Sequence, residues 1–178
     1  NLIEQWGITT PKYQLVKSLS DPIDPNLDYP IISKLNEAHG SIEIDENAVS
    51  TDKKHLQKRI NFLIKTYHQP VLLEEFIVGR EVSAVVLQGL DTRLYAAEKI
   101  FGPAYQSQFK VVSFNTKWVE GSAESLSIDY QKYELPASVK KQLATAFEIL
   151  RMDDYARFDL RVDQSGRRDL RPGVRLRN

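Results

Sequence analysis

Residues 71–81, VLLEEFIVGRE, constrain the fold more than any other stretch. A short apolar run ends in the adjacent acids Glu74 and Glu75, passes Phe76 and Ile77, turns at Gly79 and resumes at a third acid, Glu81. The run begins just after Pro70, which ends any preceding helix, so it reads as a strand. EVSAVVLQ, over 81–88, reads as a second strand with both faces largely apolar, which suits a central position covered on each side. Glu74 and Glu75 are neighbours on a strand, so they face opposite ways and cannot act as a dyad. One is expected in solvent and the other in a cleft, where a buried carboxylate needs a donor. An adenine amino group, a ribose hydroxyl or a lysine would each serve.

Upstream, YQLV and PIISKL at 30–35 read as strands, separated by a loop at 20–30 that holds three prolines and three aspartates. IEI at 42–44 reads as a short strand that makes a hairpin with PIISKL, its tip at NEAHGS free to cover a ligand. Residues 51–67 form a helix capped by Thr51, with Leu56, Ile60, Leu63, Ile64 and Tyr67 on one face. Beyond the central strand, LYAAEKI at 94–100 follows a GLDT turn. Residues 101–135 show no clear period apart from a short strand at KVVSFN. Pro136 opens a second helix along Val139, Leu143, Ala146, Phe147 and Leu150, and YARFDLRV is the last strand. This order gives an α+β chain with largely antiparallel sheets, divided into a first lobe at 1–100 and a second at 101–178.

Lysine plus arginine equals aspartate plus glutamate at 24 each, which argues against a chain that holds nucleic acid by bulk charge. There is no cysteine, so disulfide and thiolate chemistry are excluded. No apolar run approaches the roughly 20 residues that span a bilayer, and no signal segment opens the chain. A soluble cytoplasmic protein without a membrane partner is the expectation. Asn1 opens the sequence and NLIEQWG reads as a helix end stopped at Gly7, so the chain is expected to start within a larger protein.

Several residues are candidates for chemistry. Lys34 lies among apolar neighbours in IISKL. It reads either as an edge lysine with a buried stem or as a cation aimed at a phosphate from a rigid element, with Gly40 and Ser41 as further donors. Glu81 reads either as a surface acid or as an acceptor for ribose hydroxyls. Arg157 and Asp159 share one strand face while Phe158 and Leu160 take the other, which suits a phosphate and a divalent cation or, equally, a surface ion pair. Lys117, beside Trp118 in the irregular stretch, reads as a loop lysine or as one that closes over a phosphate. His39, His55 and His68 have no metal-ligand spacing. The chain has no Walker lysine loop and no GxGxxG.

Together these segments resemble the ATP-grasp superfamily, in its D-alanine–D-alanine ligase-like branch. The resemblance runs from GITTPKY to DQSG. It implies two α+β lobes with ATP held between their sheets, and a reaction that joins a carboxylate to an amine through an acylphosphate, releasing ADP and phosphate. Magnesium ions are the implied cofactor of that ATP. By this resemblance Lys34 is the phosphate-binding lysine, Ser41 a phosphate donor, and Glu74, Glu75, Phe76 and Ile77 the adenine hinge. Glu81 becomes the ribose acid, Lys117 and Arg157 the groups that act on the transferred phosphate, and Asp159 a magnesium ligand. The implied partners are small carboxylate and amine substrates, and a homodimer is compatible with it.

Departures from the family pattern carry expectations too. Leu35 replaces a proline, Ala38 an acid, and Glu43 a glycine, where a carboxylate is expected to repel phosphate and stiffen the loop. The register puts Pro172 and Val174 where two further magnesium ligands belong. From Arg157 onward there are seven arginines against three acids, so the chain is expected to be truncated or frame-altered after about 166 and the fold incomplete at both ends. The competing readings are a nucleotide-binding remnant without catalysis, a fragment that needs its parent to fold, and nucleic-acid binding by the arginine-rich end.

Overall fold

In the computed structural model, residues 2–163 and 175–177 are described, the last three by backbone alone. The chain divides into two compact units, neither of them continuous in sequence. Unit one comprises Asn1–Pro11, Ile77–Ile100 and Asp129–Asn178; unit two comprises Lys12–Phe76 and Phe101–Ile128. This differs from a single division at residue 100, because the chain leaves unit two at Phe76, returns to it at Phe101 and leaves again after Ile128.

In chain order the elements are β1 (Tyr13–Val16), β2 (Ile31–Leu35), β3 (Val49–Ser50), α1 (Lys53–Tyr67), β4 (Val71–Glu75), β5 (Gly79–Leu87), β6 (Arg93–Phe101), α2 (Phe114–Trp118), β7 (Ile128–Lys132), α3 (Ala137–Ile149), β8 (Tyr155–Asp163) and β9 (Arg175–Arg177). A 3₁₀ turn at Ile3–Trp6 ends at Gly7 in the left-handed region, as a helix stop requires.

Unit two is a four-stranded sheet in the order β1-β4-β2-β3, with antiparallel pairing throughout. Residues 31 and 35 of β2 and 71 and 73 of β4 turn one face toward α1, where Leu56, Ile60 and Leu63 complete the core. The spacing of those three residues is the helical stripe that sequence predicts. The cap of α1 is Asp52, whose carboxylate accepts from His55 N at 2.8 Å, rather than Thr51. No strand forms at 42–44; residues 41–43 are turn, and β2 takes β3 as its partner instead. Glu43 has φ 58°, which an extended strand cannot contain. KVVSFN is not a strand either: Val111 and Val112 are buried without ladder partners, and Ser113 becomes the cap of α2.

Unit one is a five-stranded sheet in the order β7-β6-β5-β8-β9. Its central strand β5 is antiparallel to β6 on one side and to β8 on the other. Val82, Ala84 and Val86 join Ala156, Phe158, Leu160 and Val162 in a core closed by Val139, Leu143, Ala146 and Phe147 of α3. The opposite face of β5 carries Val85 and Leu87, as the alternation suggests, but Ser83 and Val85 are only half-buried and Leu87 is exposed. It begins with Glu81 and Ser83, and this polar row carries the unit's candidate chemistry. Gly79 opens β5 where an added Cβ would lie 2.1 Å from the Val162 carbonyl oxygen, so the turn in the hinge needs a residue without a side chain. Among the described residues no helix is long and apolar enough to cross a membrane.

Candidate functional site

In unit two, Ile32 lies opposite Glu74 and Lys34 opposite Leu72, so these four share the sheet face turned away from α1. Lys34 Nζ donates to Glu74 Oε2, a diagonal ion pair within that face. Glu74 is only 5% exposed. Of the three donors that could satisfy a buried carboxylate here, the chain supplies a lysine of its own. Beside the pair stands an apolar cluster of Ile32, Ala48, Val49, Phe76 and Val111, with Phe109 packed edge-on to Phe76. A cation and a carboxylate at the edge of an apolar cluster suit a ligand with a planar apolar part and a charged part.

Glu75 is buried as well, against the expectation that one of the two acids is solvated. The Lys12 ammonium lies 3.1 Å from it, and Asp28 N donates to it at 3.3 Å. That salt bridge is one of the reasons the Lys12 ammonium titrates above its ordinary range, after the hydrogen bond to Asp28. The backbone N–H of Phe76 is spent on the Pro30 carbonyl at 2.7 Å, so Phe76 contributes through its buried ring. Ile77 is half-buried in unit one.

The loop carrying Ser41 is shaped by three residues at positive φ, Gly40 (72°), Ser41 (64°) and Glu43 (58°). Glu43 is not an open charge. Its carboxylate accepts from Arg59 Nη1 at 3.2 Å and from Tyr67 Oη at 2.6 Å, and its carbonyl accepts from Arg59 Nη2. Arg59 is buried on α1, so Glu43 anchors the loop to the helix. On the other side Trp118 Nε1 donates to the Gly40 carbonyl at 2.7 Å, and the indole occupies the space a Cβ at residue 40 would need. Lys117 precedes Trp118 on α2 with an exposed side chain. A cavity of about 380 Å³ is lined by Glu43, Asp45, Ser113, Phe114, Asn115 and Glu124.

Unit one offers two groups on the polar face of its sheet. Arg157 and Asp159 lie together, as their spacing requires, with Arg157 Nη2 3.3 Å from Asp159 Oδ2. Ser83, directly across on β5, donates to Asp159 Oδ1 at 2.8 Å. Arg157 is mostly exposed, while Asp159 is half-buried and also accepts from Ser83. One residue pair further along, Glu81 sits between Lys99 of β6 and Arg161 of β8. Lys99 Nζ donates to one oxygen at 2.7 Å and Arg161 Nη2 to the other at 2.6 Å.

Among the described residues the donor set does not make a magnesium site held by the protein alone. Among the described residues no group of three His, Cys, Asp or Glu side chains converges. Asp159 is a single carboxylate whose oxygens already face a hydroxyl and a guanidinium, whereas a magnesium ion needs near-octahedral oxygen ligands. Pro172 and Val174, and the side chains of the arginine-rich end, lie outside the described residues.

The family profile described as "D-ala D-ala ligase C-terminus" matches residues 2–171. The chain belongs to that family. Its fold is the ATP-grasp fold, as the two antiparallel sheets with few helices also indicate. A D-alanine–D-alanine ligase B of Clostridium perfringens is 27% identical over 93% of this chain and 51% of its own length. An uncharacterized protein y4sG of Sinorhizobium fredii is 23% identical, over 93% and 48%. Among solved structures, the D-alanine–D-alanine ligase of Bacillus anthracis superposes with a TM-score of 0.69 at 18% identity, covering 99% of this chain and 53% of that one. The same enzyme complexed with ATP gives 0.64 at 18% identity, over 98% and 51%. The chain thus spans about half the length of the curated relatives it matches.

Ser83, Lys99 and Arg161 are not among the site residues that the sequence pattern singles out. Ser83 and Arg161 were accessible to it, because each lies two residues from a candidate acid on the same strand face. Lys99 was not, since only the β5–β6 register shows that it faces Glu81.

Proposed function

We propose that this chain is the ATP-binding part of a carboxylate–amine ligase of the D-alanine–D-alanine ligase type. The observation that carries this reading is the Lys34–Glu74 pair beside the apolar cluster of Ile32, Val49 and Phe76. The adenine lies toward Glu74, Glu75, Phe76 and Ile77, and its amino group donates to Glu74. Lys34 and Ser41 take the phosphates. Lys117 and Arg157 stabilise the charge that builds on the phosphoryl group as it transfers. A carboxylate substrate accepts that group as an acylphosphate, an amine attacks the carbonyl carbon, and inorganic phosphate leaves. Asp159, held by Ser83, is the chain's own contact for the magnesium that accompanies ATP. By the resemblance Glu81 is the ribose acid, and its oxygens accept from Lys99 and Arg161.

A second reading is ATP binding without catalysis, since among the described residues no group of three His, Cys, Asp or Glu forms around Asp159. Calorimetric titration of the 178-residue chain with ATP separates the proposal from a purely structural role. Binding is expected, and Lys34→Met should weaken it by about 10- to 100-fold, the value of a lost charge-assisted contact. Phosphate release with amino acids present separates the two readings, and this polypeptide is expected to show weak release or none. Failure of wild-type chain to bind ATP would sink the proposal.

A further inference from the structure

Ser41 and Glu43 both hold their backbone in the left-handed region, at φ 64° and 58°. Residues with side chains stay there only where their surroundings force them to. For Glu43 the forcing groups come from α1. Tyr67 Oη donates to one carboxylate oxygen of Glu43 at 2.6 Å, and Arg59 Nη1 donates to the other at 3.2 Å. Arg59 Nη2 also donates to the Glu43 carbonyl oxygen. One guanidinium thus grips the side chain and the main chain of the same residue, which fixes the orientation of the backbone as well as the charge.

The two donors are braced in their turn. Arg59 is 6% exposed, and its guanidinium carbon lies 5.4 Å from the centre of the Phe62 ring. That ring stands edge-on to Tyr67, with centroids 6.4 Å apart. Before Ser41 the loop is held again, by the Trp118 indole, which donates to the Gly40 carbonyl at 2.7 Å. Ile44 N closes the turn onto the Ser41 carbonyl at 3.0 Å. Packing contributes less, because residues 42–45 line the cavity of about 380 Å³. A loop pinned on both sides of Ser41 loses its conformational freedom in folding, so little is left to lose when a ligand binds.

We propose that Arg59 and Tyr67 are positioning residues for phosphate binding, which act through Glu43 to hold Ser41 in the conformation that meets the phosphate. The loop is then a preformed cradle rather than a lid. The inference rests on the reading of Ser41 as a phosphate donor, and every residue it invokes belongs to unit two.

The test is a double-mutant cycle on the full 178-residue chain, with ATP affinity measured by calorimetric titration. Ser41→Ala and Arg59→Met should each weaken ATP binding by about three- to tenfold, the range of one hydrogen bond. The double variant should bind within about twofold of Arg59→Met, because a released loop no longer presents Ser41. Losses that multiply mean that Arg59 acts independently of Ser41, as it would by leaving Glu43 a bare charge near phosphate, and they overturn the inference. So does wild-type affinity in either single variant. No binding of ATP by the wild-type chain overturns the ATP reading and this inference with it. Should Arg59→Met fail to fold by circular dichroism, Tyr67→Phe takes its place in the cycle, with an expected loss of about threefold. Arg59→Lys keeps the charge without the two-point grip, so it should bind ATP as weakly as Arg59→Met. Wild-type affinity in that variant overturns the role assigned to the grip.

Discussion

Glu74 and Glu81 belong to the same short stretch of sequence, and both end up nearly sealed from solvent, yet their neighbours give them different fates. Glu74 meets one lysine, diagonally across the β2–β4 pair, and that lysine is itself partly exposed. Glu81 meets two cations, directly opposite on both flanking strands. A carboxylate paired with one lysine at the edge of an apolar cluster is easier to open for a ligand, because the partly exposed Lys34 can turn toward water or phosphate. A carboxylate held from both sides cannot open without leaving a buried charge. The lesson is that a strand glutamate becomes a ligand-binding group or a structural one according to its cross-strand partners.

The sharpest way to break this comparison is to neutralise each acid in turn. Glu81→Gln leaves two buried cations facing an amide, and it should cost about 3–5 kcal/mol of unfolding free energy in urea titration. A loss no greater than that of the Glu74 variant would erase the distinction. Gly79→Ala attacks the same row through the backbone, since the new Cβ meets the Val162 carbonyl. It should cost about 2–3 kcal/mol, as overpacking does, and it should speed amide exchange along β5 and β8. Glu74→Gln should cost less, about 1–2 kcal/mol, because Lys34 can find water, while its effect on ATP affinity should exceed its effect on stability.

Tyr67→Phe supplies the smallest effect and a reference outside both acids. Removing the hydroxyl that donates to Glu43 should cost about 1 kcal/mol. The bond to Glu43, aided by burial, raises the Tyr67 phenol above its ordinary value. A group raised in the folded state contributes fully below its unfolded value of about 10 and loses that contribution as pH climbs through the folded value. The stability gap between wild type and Tyr67→Phe should therefore be flat at neutral pH and close in strongly alkaline solution. A gap that persists unchanged in strongly alkaline solution would contradict the assignment of Tyr67 as donor.

Local pattern was enough to read the strands VLLEE, LYAAEKI and YARFDLRV and the stripe of α1, because their periodicity coincides with their burial. It failed where distant partners decide the backbone. IEI at 42–44 alternates like a strand, but Arg59 and Tyr67 pull Glu43 into a left-handed turn. KVVSFN has strand composition, yet Val111 is buried by packing against Ile32 and Phe76 rather than by a ladder. The spacing of Arg157 and Asp159 made their shared face legible. Lys34 and Glu74 were each identified, but their partnership depends on register, and so does that of Glu81 with Lys99. The two interleaved units were hidden for a related reason, since no composition shift marks where a chain leaves one sheet for another.

That interleaving has a consequence for how the molecule comes into being. β5 is the centre of its sheet, and the partner that completes the Ser83–Asp159 contact is 76 residues further along the chain. During synthesis the middle strand of unit one therefore exists for some time with β6 on one edge and nothing on the other. An open, apolar edge is a template for pairing with other chains. Assembly of this unit should be slow for its size, with a high proportion of non-local contacts. Expression yield would then respond to how quickly β8 follows β5, a property that no measurement on the finished fold would report.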